Sequence, residues 1–211
     1  MSSTEPAAAS DSISAPIMQP ELAVHLASAA AASPAALTAL GVTHVLIANP
    51  SVPAPRRGDA EPPFATLRVS LNDDIDEPLH EHLDSAADFI GTAVDGGRVC
   101  VICADGVSAA PAVVTFYLMR QHGTSLAEAL DAIRAVHPRA RPNVGFWQRL
   151  VEAESWLRVG PPSMSLQQYR WAYLEQSRPG VERGVLLQQL ELGQAEVLAM
   201  VHRHSYEVVK R

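Results

Sequence analysis

Residues 98–111 constrain the fold of this chain more than any other segment, because they predict a buried strand, a tight loop and a helix in direct succession. The β-branched run 98–103 ends on Cys103, and Gly106 lies in the loop that follows. Pro111 then opens a predicted helix over 111–122. This succession places a thiol below backbone N–H groups that converge beside a helix N-terminus. Such an arrangement suits a bound anion and lowers the pKa of a thiol.

The other predicted elements place this segment in an α/β domain. Strands are predicted at 22–26, 42–48 and 64–71, and helices at 33–40, 78–94, 125 to before Pro138, and 143–158. Ser33 and Ser125 are the predicted helix N-caps, and Ser125 forms a capping box with Glu128. Because strands alternate with helices first and helices dominate later, the order predicts an α/β sandwich with mixed or parallel strands.

Three segments are predicted along the 211 residues. Residues 1–16 are small and polar without periodicity, which predicts a disordered leader. Residues 17–160 form the domain, and residues 161–211 are a helical C-terminal extension with amphipathic segments near 166–175 and 181–209. A helix of this kind needs tertiary packing, so we expect its apolar stripe to be buried against the domain or a partner. The stripe contains Val185, Leu186, Leu190, Val197 and Leu198.

Charge and composition exclude several classes of function. The net charge of −7 argues against nucleic acid and against an anionic membrane as partners, because both need a basic surface. No apolar run approaches the roughly 20 residues of a membrane span, and the N-terminus lacks the basic start of a signal peptide. Cys100 and Cys103 are the only cysteines, so a disulfide framework is excluded and a reducing cytoplasmic or nuclear setting is expected.

The segment around Cys103 resembles the signature of the dual-specificity protein phosphatases, within the cysteine-based protein tyrosine phosphatase superfamily. That signature is His-Cys, two residues, Gly, one residue, then Ser-Arg and Ser or Thr. Cys103, Gly106 and Ser108 stand in register with it. Blocks at 40–46, 86–90, 117–120 and 142–146 resemble the family in the same order. The resemblance covers about residues 22–157 and implies a sandwich whose central mixed sheet is flanked by helices.

The resemblance also implies a set of site residues. Cys103 takes the place of the nucleophile, and Asp73 falls where the family keeps its general acid, with Asp74 and Asp76 as close rivals. The same acidic cluster is also typical of a polar loop before a helix N-terminus. The phosphate loop that the resemblance implies consists of Ala104, Asp105, Gly106, Val107, Ser108 and Ala109.

Three departures from the signature fall within this one segment. The family histidine before the cysteine is Ile102, its phosphate-binding arginine is Ala109, and the following serine or threonine is Ala110. The arginine matters most, because a planar guanidinium on a transferring phosphoryl group contributes about 10³–10⁵ in rate, judged from arginine fingers. The departures predict that Cys103 and Asp73 are vestigial catalytic residues.

Two other interpretations of the cysteines carry less weight. Cys100 and Cys103 form a Cys-x-x-Cys, which could be a redox pair. Both lie in one predicted strand at an odd spacing, so their side chains should point to opposite faces and Cys100 should be a small buried hydrophobe. Two cysteines leave too few ligands for a structural zinc, so we expect neither a metal ion nor a cofactor.

The pattern therefore predicts a pseudophosphatase, a catalytically impaired module that regulates signalling. Its predicted partner is a phosphoprotein or a signalling kinase, as the resemblance implies, and the oligomeric state stays open. The alternative is a weakly active protein phosphatase that uses Cys103 as its nucleophile and Asp73 as its acid.

Overall fold

The computed structural model describes residues 13–17, 24–56, 64–158, 160–165 and 167–169. In this part of the chain four parallel strands form one sheet in the order β1-β4-β2-β3. The strands are β1 (Val24–Ser28), β2 (His44–Ala48), β3 (Ala65–Val69) and β4 (Val99–Cys103). Because all four are parallel, their carboxyl ends lie at one edge, where the loops after them gather. The predicted α/β fold is confirmed.

Residues 13–17 run antiparallel beside β1. The Ser14 N–H donates to the Leu26 carbonyl at 2.8 Å, and the Ile17 N–H donates to the Val24 carbonyl at 3.0 Å. Ser14 Oγ also accepts from the Leu26 N–H at 2.9 Å. Residues 13–16 lie in the predicted disordered leader, yet Ser14 pairs with β1 through both its backbone and its side chain.

Five helices pack around the sheet in the described residues. They are α1 (Pro34–Ala39), α2 (His80–Val94), α3 (Ala109–His122), α4 (Leu126–Val136) and α5 (Val144–Leu157). The predicted N-caps are confirmed, since Ser33 Oγ accepts from Ala36 N and Ser125 forms both bonds of a capping box with Glu128. The start of α3 was predicted two residues too late. Pro111 is tolerated inside its first turn because N–H groups there have no intrahelical acceptor.

The two faces of the sheet carry different helices. On one face α3 is buried from Ala109 to Met119, among the sheet and helices α2, α4 and α5. On the other face β4 contributes Cys100 and Ile102 to an apolar cluster that also includes Leu37 of α1. Cys103 lies three residues from Cys100 on the same strand, so the two thiols point to opposite faces. Both cysteines are free, as the argument against a redox pair predicts.

The chain divides into two units, Met1–Ser163 and Met164–Arg211. In the second unit the structure describes only 164, 165 and 167–169, of which 167–169 are helical. The rest of the predicted helix 166–175, all of 181–209 and the apolar stripe from Val185 to Leu198 lie outside the described residues. Among the residues that the structure describes, no helix is both long enough and apolar enough to cross a membrane.

Candidate active site

The loop 104–108 joins the end of β4 to the start of α3, at the carboxyl edge of the sheet. Cys103 is the last residue of β4, and its side chain is buried below this loop. Gly106 has φ +74°, a conformation that residues with a side chain rarely adopt. A Cβ there would also lie 2.9 Å from the Ser28 nitrogen and 3.0 Å from the Ala27 carbonyl carbon. Only glycine therefore lets the loop lie this close to the end of β1.

The loop is also held from its outer side by the connection between α4 and α5. The Arg141 N–H donates to the Val107 carbonyl at 2.7 Å, and the Asn143 N–H donates to Ser108 Oγ at 2.9 Å. His137 Nε2 lies 2.9 Å from the Gly106 carbonyl. A carbonyl oxygen only accepts, so Nε2 carries the hydrogen. Burial lowers the pKa of His137, which keeps the ring neutral near pH 7. These bonds preorganise the loop.

Opposing effects act on the pKa of the Cys103 thiol. Burial raises its pKa, and the Asp105 carboxylate raises it further, while the backbone N–H groups of Ala110, Gly106 and Ser108 lower it. The net effect is a raised pKa, so the thiol is protonated at neutral pH. Cys103 Sγ donates to Asp105 Oδ1 across 3.8 Å. The strand-loop-helix pattern predicts a lowered pKa, and this expectation is wrong because burial outweighs the converging N–H groups.

The residues at the three departures from the signature are all buried. Ala109 and Ala110 are the first two residues of α3, and Ala109 is only 3% exposed. Their methyl side chains offer neither a positive charge nor a hydrogen-bond donor. Ile102 lies in the apolar cluster on the opposite face of the sheet from Cys103, with Ala27 and Ile47 among its members. Its side chain is therefore part of the core and does not face the thiol.

Asn143 links the predicted acid to the loop. Its side-chain Nδ2 donates to Asp73 Oδ1 at 2.8 Å and to the Asp74 carbonyl at 3.2 Å, while its backbone N–H bonds Ser108. Its Oδ1 accepts from the Phe146 N–H and so caps α5. The carboxylate of Asp74 instead accepts the N–H of Asp76 within the same turn. Of the three candidate acids, Asp73 thus has a side chain tied to the loop network.

A second contact brings the start of α5 against the acid-bearing segment. A Cβ on Gly145 would overlap the backbone of Ile75. Asn143 and Gly145 together fix the segment 73–75 next to the loop. The sequence pattern predicts Asn143 only at the start of a helix. Its N-cap position was a visible signal, but its bond to Asp73 depends on a contact between distant parts of the chain.

Metal chemistry has no ligand set in the described part of the chain. No group of three or more His, Cys, Asp or Glu side chains comes close enough there to hold a metal ion. The thiol of Cys103 is instead surrounded by backbone N–H groups and the Asp105 carboxylate, and Asn143 ties Asp73 to the loop at Ser108. Such an arrangement resembles an oxyanion receptor in which the signature position of the cation, residue 109, is an alanine.

Comparisons with known proteins agree with this geometry. A family model described as the catalytic domain of dual specificity phosphatases matches residues 24–156. Human dual specificity phosphatase 28 is 37% identical over 137 residues, covering 62% of this chain and 76% of that protein. Dual specificity protein phosphatase 1 of Arabidopsis thaliana is 36% identical over 141 residues, covering 66% of this chain and 69% of that protein.

Solved structures show the same likeness. The crystal structure of human DUSP28 has 35% identity and a TM-score of 0.58, covering 68% of this chain and 99% of that chain. A mouse dual specificity phosphatase complexed with zinc tungstate has 34% identity and a TM-score of 0.62, covering 74% of this chain and 93% of that chain. The likeness therefore extends over the sheet, the loop and the helices around it.

Proposed function

The chain belongs to the dual-specificity phosphatase family, and from this premise we propose that it is a catalytically impaired member. In this proposal it acts in the cytoplasm or nucleus as a pseudophosphatase, which regulates signalling by binding a phosphoprotein or a signalling kinase. The observation that carries the proposal is Ala109, a buried methyl group at the position where the family signature has its arginine.

The missing guanidinium is the largest single loss. In an active phosphatase it makes two charge-assisted hydrogen bonds to the phosphoryl oxygens and keeps them as charge moves in the transition state. A catalytic arginine of this kind contributes about 10³–10⁵ in rate. The side chain of Ala109 contributes no such bond, and Ala110 lacks the hydroxyl that would help hydrolyse a phosphocysteine intermediate.

The state of the thiol supports the same proposal. A thiolate is the nucleophile, and a raised pKa leaves little of it at neutral pH. The Ile102 side chain lies on the other face of the sheet and provides no hydrogen-bonding group to this region. The nucleophile is therefore weakened in addition to the loss of the cation.

The scaffold, by contrast, is kept, and this supports a binding role. The loop is fixed by the carbonyl and hydroxyl bonds from His137, Arg141 and Asn143, and Asp73 is held beside it. A loop held in one conformation by such bonds presents a defined surface to a protein partner at low entropic cost.

A second candidate, a weakly active protein phosphatase, has one specific observation in its favour. The backbone N–H groups of Gly106, Ser108 and Ala110 still point at Cys103 Sγ, and Asn143 still orients Asp73. In this case the loop N–H groups would take over part of the arginine's role, and Asp73 would protonate the leaving oxygen.

Hydrolysis of an aryl phosphate by the full chain separates the two candidates. The proposal expects a rate no higher than that of the matched Cys103→Ser variant, which lacks the nucleophile. A rate clearly above that variant, and lowered again by Asp73→Asn, would establish the active phosphatase instead. Binding is then measured with a kinase activation-loop peptide in its phosphorylated and unphosphorylated forms, and failure of both to bind the full chain would count against the binding role.

A further inference from the structure

We propose that Asp105 keeps phosphate out of the Cys103 loop, because its carboxylate is an anion of the chain's own placed where an incoming oxyanion would be held. This inference rests on the proposed function and narrows it, because a loop that excludes phosphate leaves the partner to bind through contacts other than a phosphoryl group at Cys103. It assigns Asp105 as a specificity-determining residue that acts on the ligand directly and not as a catalytic residue.

The position of the carboxylate is defined by two contacts. Asp105 Oδ1 accepts the Val107 N–H at 2.9 Å, and it lies 3.8 Å from Cys103 Sγ. A phosphate held by this loop would meet the same two kinds of group, a loop N–H and the sulfur. One oxygen of Asp105 therefore already uses a donor of the loop and lies within contact distance of the thiol.

The charge of the carboxylate opposes a second anion. Asp105 is exposed, so water screens part of its charge, but two like charges a few ångströms apart still repel each other. A phosphate at neutral pH carries between one and two negative charges. An arginine at 109 would offset this repulsion, but the residue there is alanine. The same negative charge is one of the causes that raise the pKa of Cys103.

A purely structural role for Asp105 makes a different prediction. A side-chain oxygen that accepts the N–H two residues later forms a turn, and asparagine forms that turn as well as aspartate does. Asp105→Asn keeps the oxygen that accepts from Val107 and removes only the charge. This single change therefore separates the electrostatic role from the structural one.

The experiment is calorimetric titration of the full chain with sodium tungstate and with inorganic phosphate at pH 7. Wild type, Asp105→Asn and Asp131→Asn are compared, where Asp131 is an exposed residue of α4 and its change alters the net charge equally. We expect Asp105→Asn to bind both oxyanions at least about tenfold more tightly than wild type. Asp131→Asn should match wild type.

Equal affinity in wild type and Asp105→Asn overturns the inference, and so does the absence of binding to both, because the lost arginine alone would then explain the exclusion. If Asp105→Asn does not fold, Asp105→Ser carries the same comparison, since serine offers an oxygen without a charge.

A second measurement is the pH profile of Cys103 alkylation by iodoacetamide, resolved by peptide mass spectrometry. Its midpoint should move to lower pH in Asp105→Asn, and an unchanged midpoint contradicts the inference. Aryl phosphatase activity of the wild type would refute the proposed function, and the ratio of oxyanion affinities between Asp105→Asn and wild type would still decide the role of Asp105 separately.

Discussion

Replacing Ala109 by arginine should restore measurable phosphatase activity. It returns the guanidinium that stays hydrogen-bonded to the phosphoryl oxygens as negative charge moves in the transition state. The full contribution of such an arginine is about 10³–10⁵ in rate. One feature of the structure reduces this contribution here. The Asp105 carboxylate lies 3.8 Å from Cys103 Sγ and would compete for the guanidinium. The raised pKa of Cys103 lowers the absolute rate of wild type and variant alike and leaves their ratio unchanged. We therefore expect kcat/KM to rise by roughly 10²–10³-fold, at or below the lower end of that range.

The assay is steady-state hydrolysis of an aryl phosphate, with Ala109→Lys as the matched control. Lysine supplies a point charge without the planar fork, so it should recover much less activity than arginine. Adding Cys103→Ser should abolish the gain, and adding Asp73→Asn should lower it by roughly 10²-fold or more. If Ala109→Arg is folded and binds tungstate but stays inert, the reasoning is wrong, and the site has diverged beyond the loop.

The histidine of the family signature is a less promising repair than the arginine. Ile102 is 1% exposed and packs in the apolar cluster with Val45 and Ile47. An imidazole buried there without a partner would cost about 1–3 kcal/mol of stability. Restoring the loop by the triple change Ile102→His, Ala109→Arg and Ala110→Ser therefore combines a gain in chemistry with a loss in packing, and we expect the single arginine to provide most of the activity.

Three further outcomes follow from the packing. Burial raises the pKa of Cys100 to about 12 from 9.0. Its neutral thiol therefore stabilises the fold fully below about pH 9 and progressively less as the pH rises toward 12. The free energy of unfolding, measured by denaturation at pH 8–11, should show this decline, and Cys100→Ala should reduce its slope against pH. Gly145→Ala should lower the melting temperature, because its Cβ would overlap the backbone of the acid-bearing segment. Gly91→Ala is the control within α2. Its Cβ would lie 4.0 Å from one ring atom of Tyr117, so the melting temperature should stay unchanged or rise. Asn143→Asp keeps a capping oxygen but replaces the donor to Asp73 with a second carboxylate. Hydrogen exchange should therefore increase in residues 72–78 while the first turn of α5 stays protected. Equal protection of 72–78 in wild type and variant would show that the bond from Asn143 to Asp73 does not hold this segment.

Local signals in the sequence were enough to predict the elements that carry the site. Ser33, Ser125 and Asn143 are short polar residues before apolar periodic runs, and each caps the helix that follows it. Strand β4 was recognisable as a β-branched run that ends on Cys103. These predictions succeed because the physical cause of each, a cap or a buried run, lies within a few residues of its effect.

The relations between distant residues could not be obtained in this way. The order β1-β4-β2-β3 pairs strands that are far apart in the chain. The antiparallel pairing of residues 13–17, Ile-Ser-Ala-Pro-Ile, with β1 gives no periodic signal, so the sequence pattern predicts a leader up to residue 16. The bridge from Asn143 to Asp73 joins residues 70 positions apart. Neither residue type indicates the other, because the bond exists only after the sheet has brought the two loops together.

The chemistry of Cys103 was the least predictable property of all, for a related reason. A strand that ends below a loop and a helix start brings N–H groups toward the sulfur, and these do lower the pKa. The same geometry also buries the sulfur, which raises the pKa, so the pattern contains two opposite effects and does not determine their balance. In this chain burial is the largest effect, and the carboxylate at 105 adds to it. If Asp105→Asn binds oxyanions more tightly than wild type, as proposed, a phosphatase-like loop keeps its backbone geometry while the residues at 105 and 109 set its preference for anions.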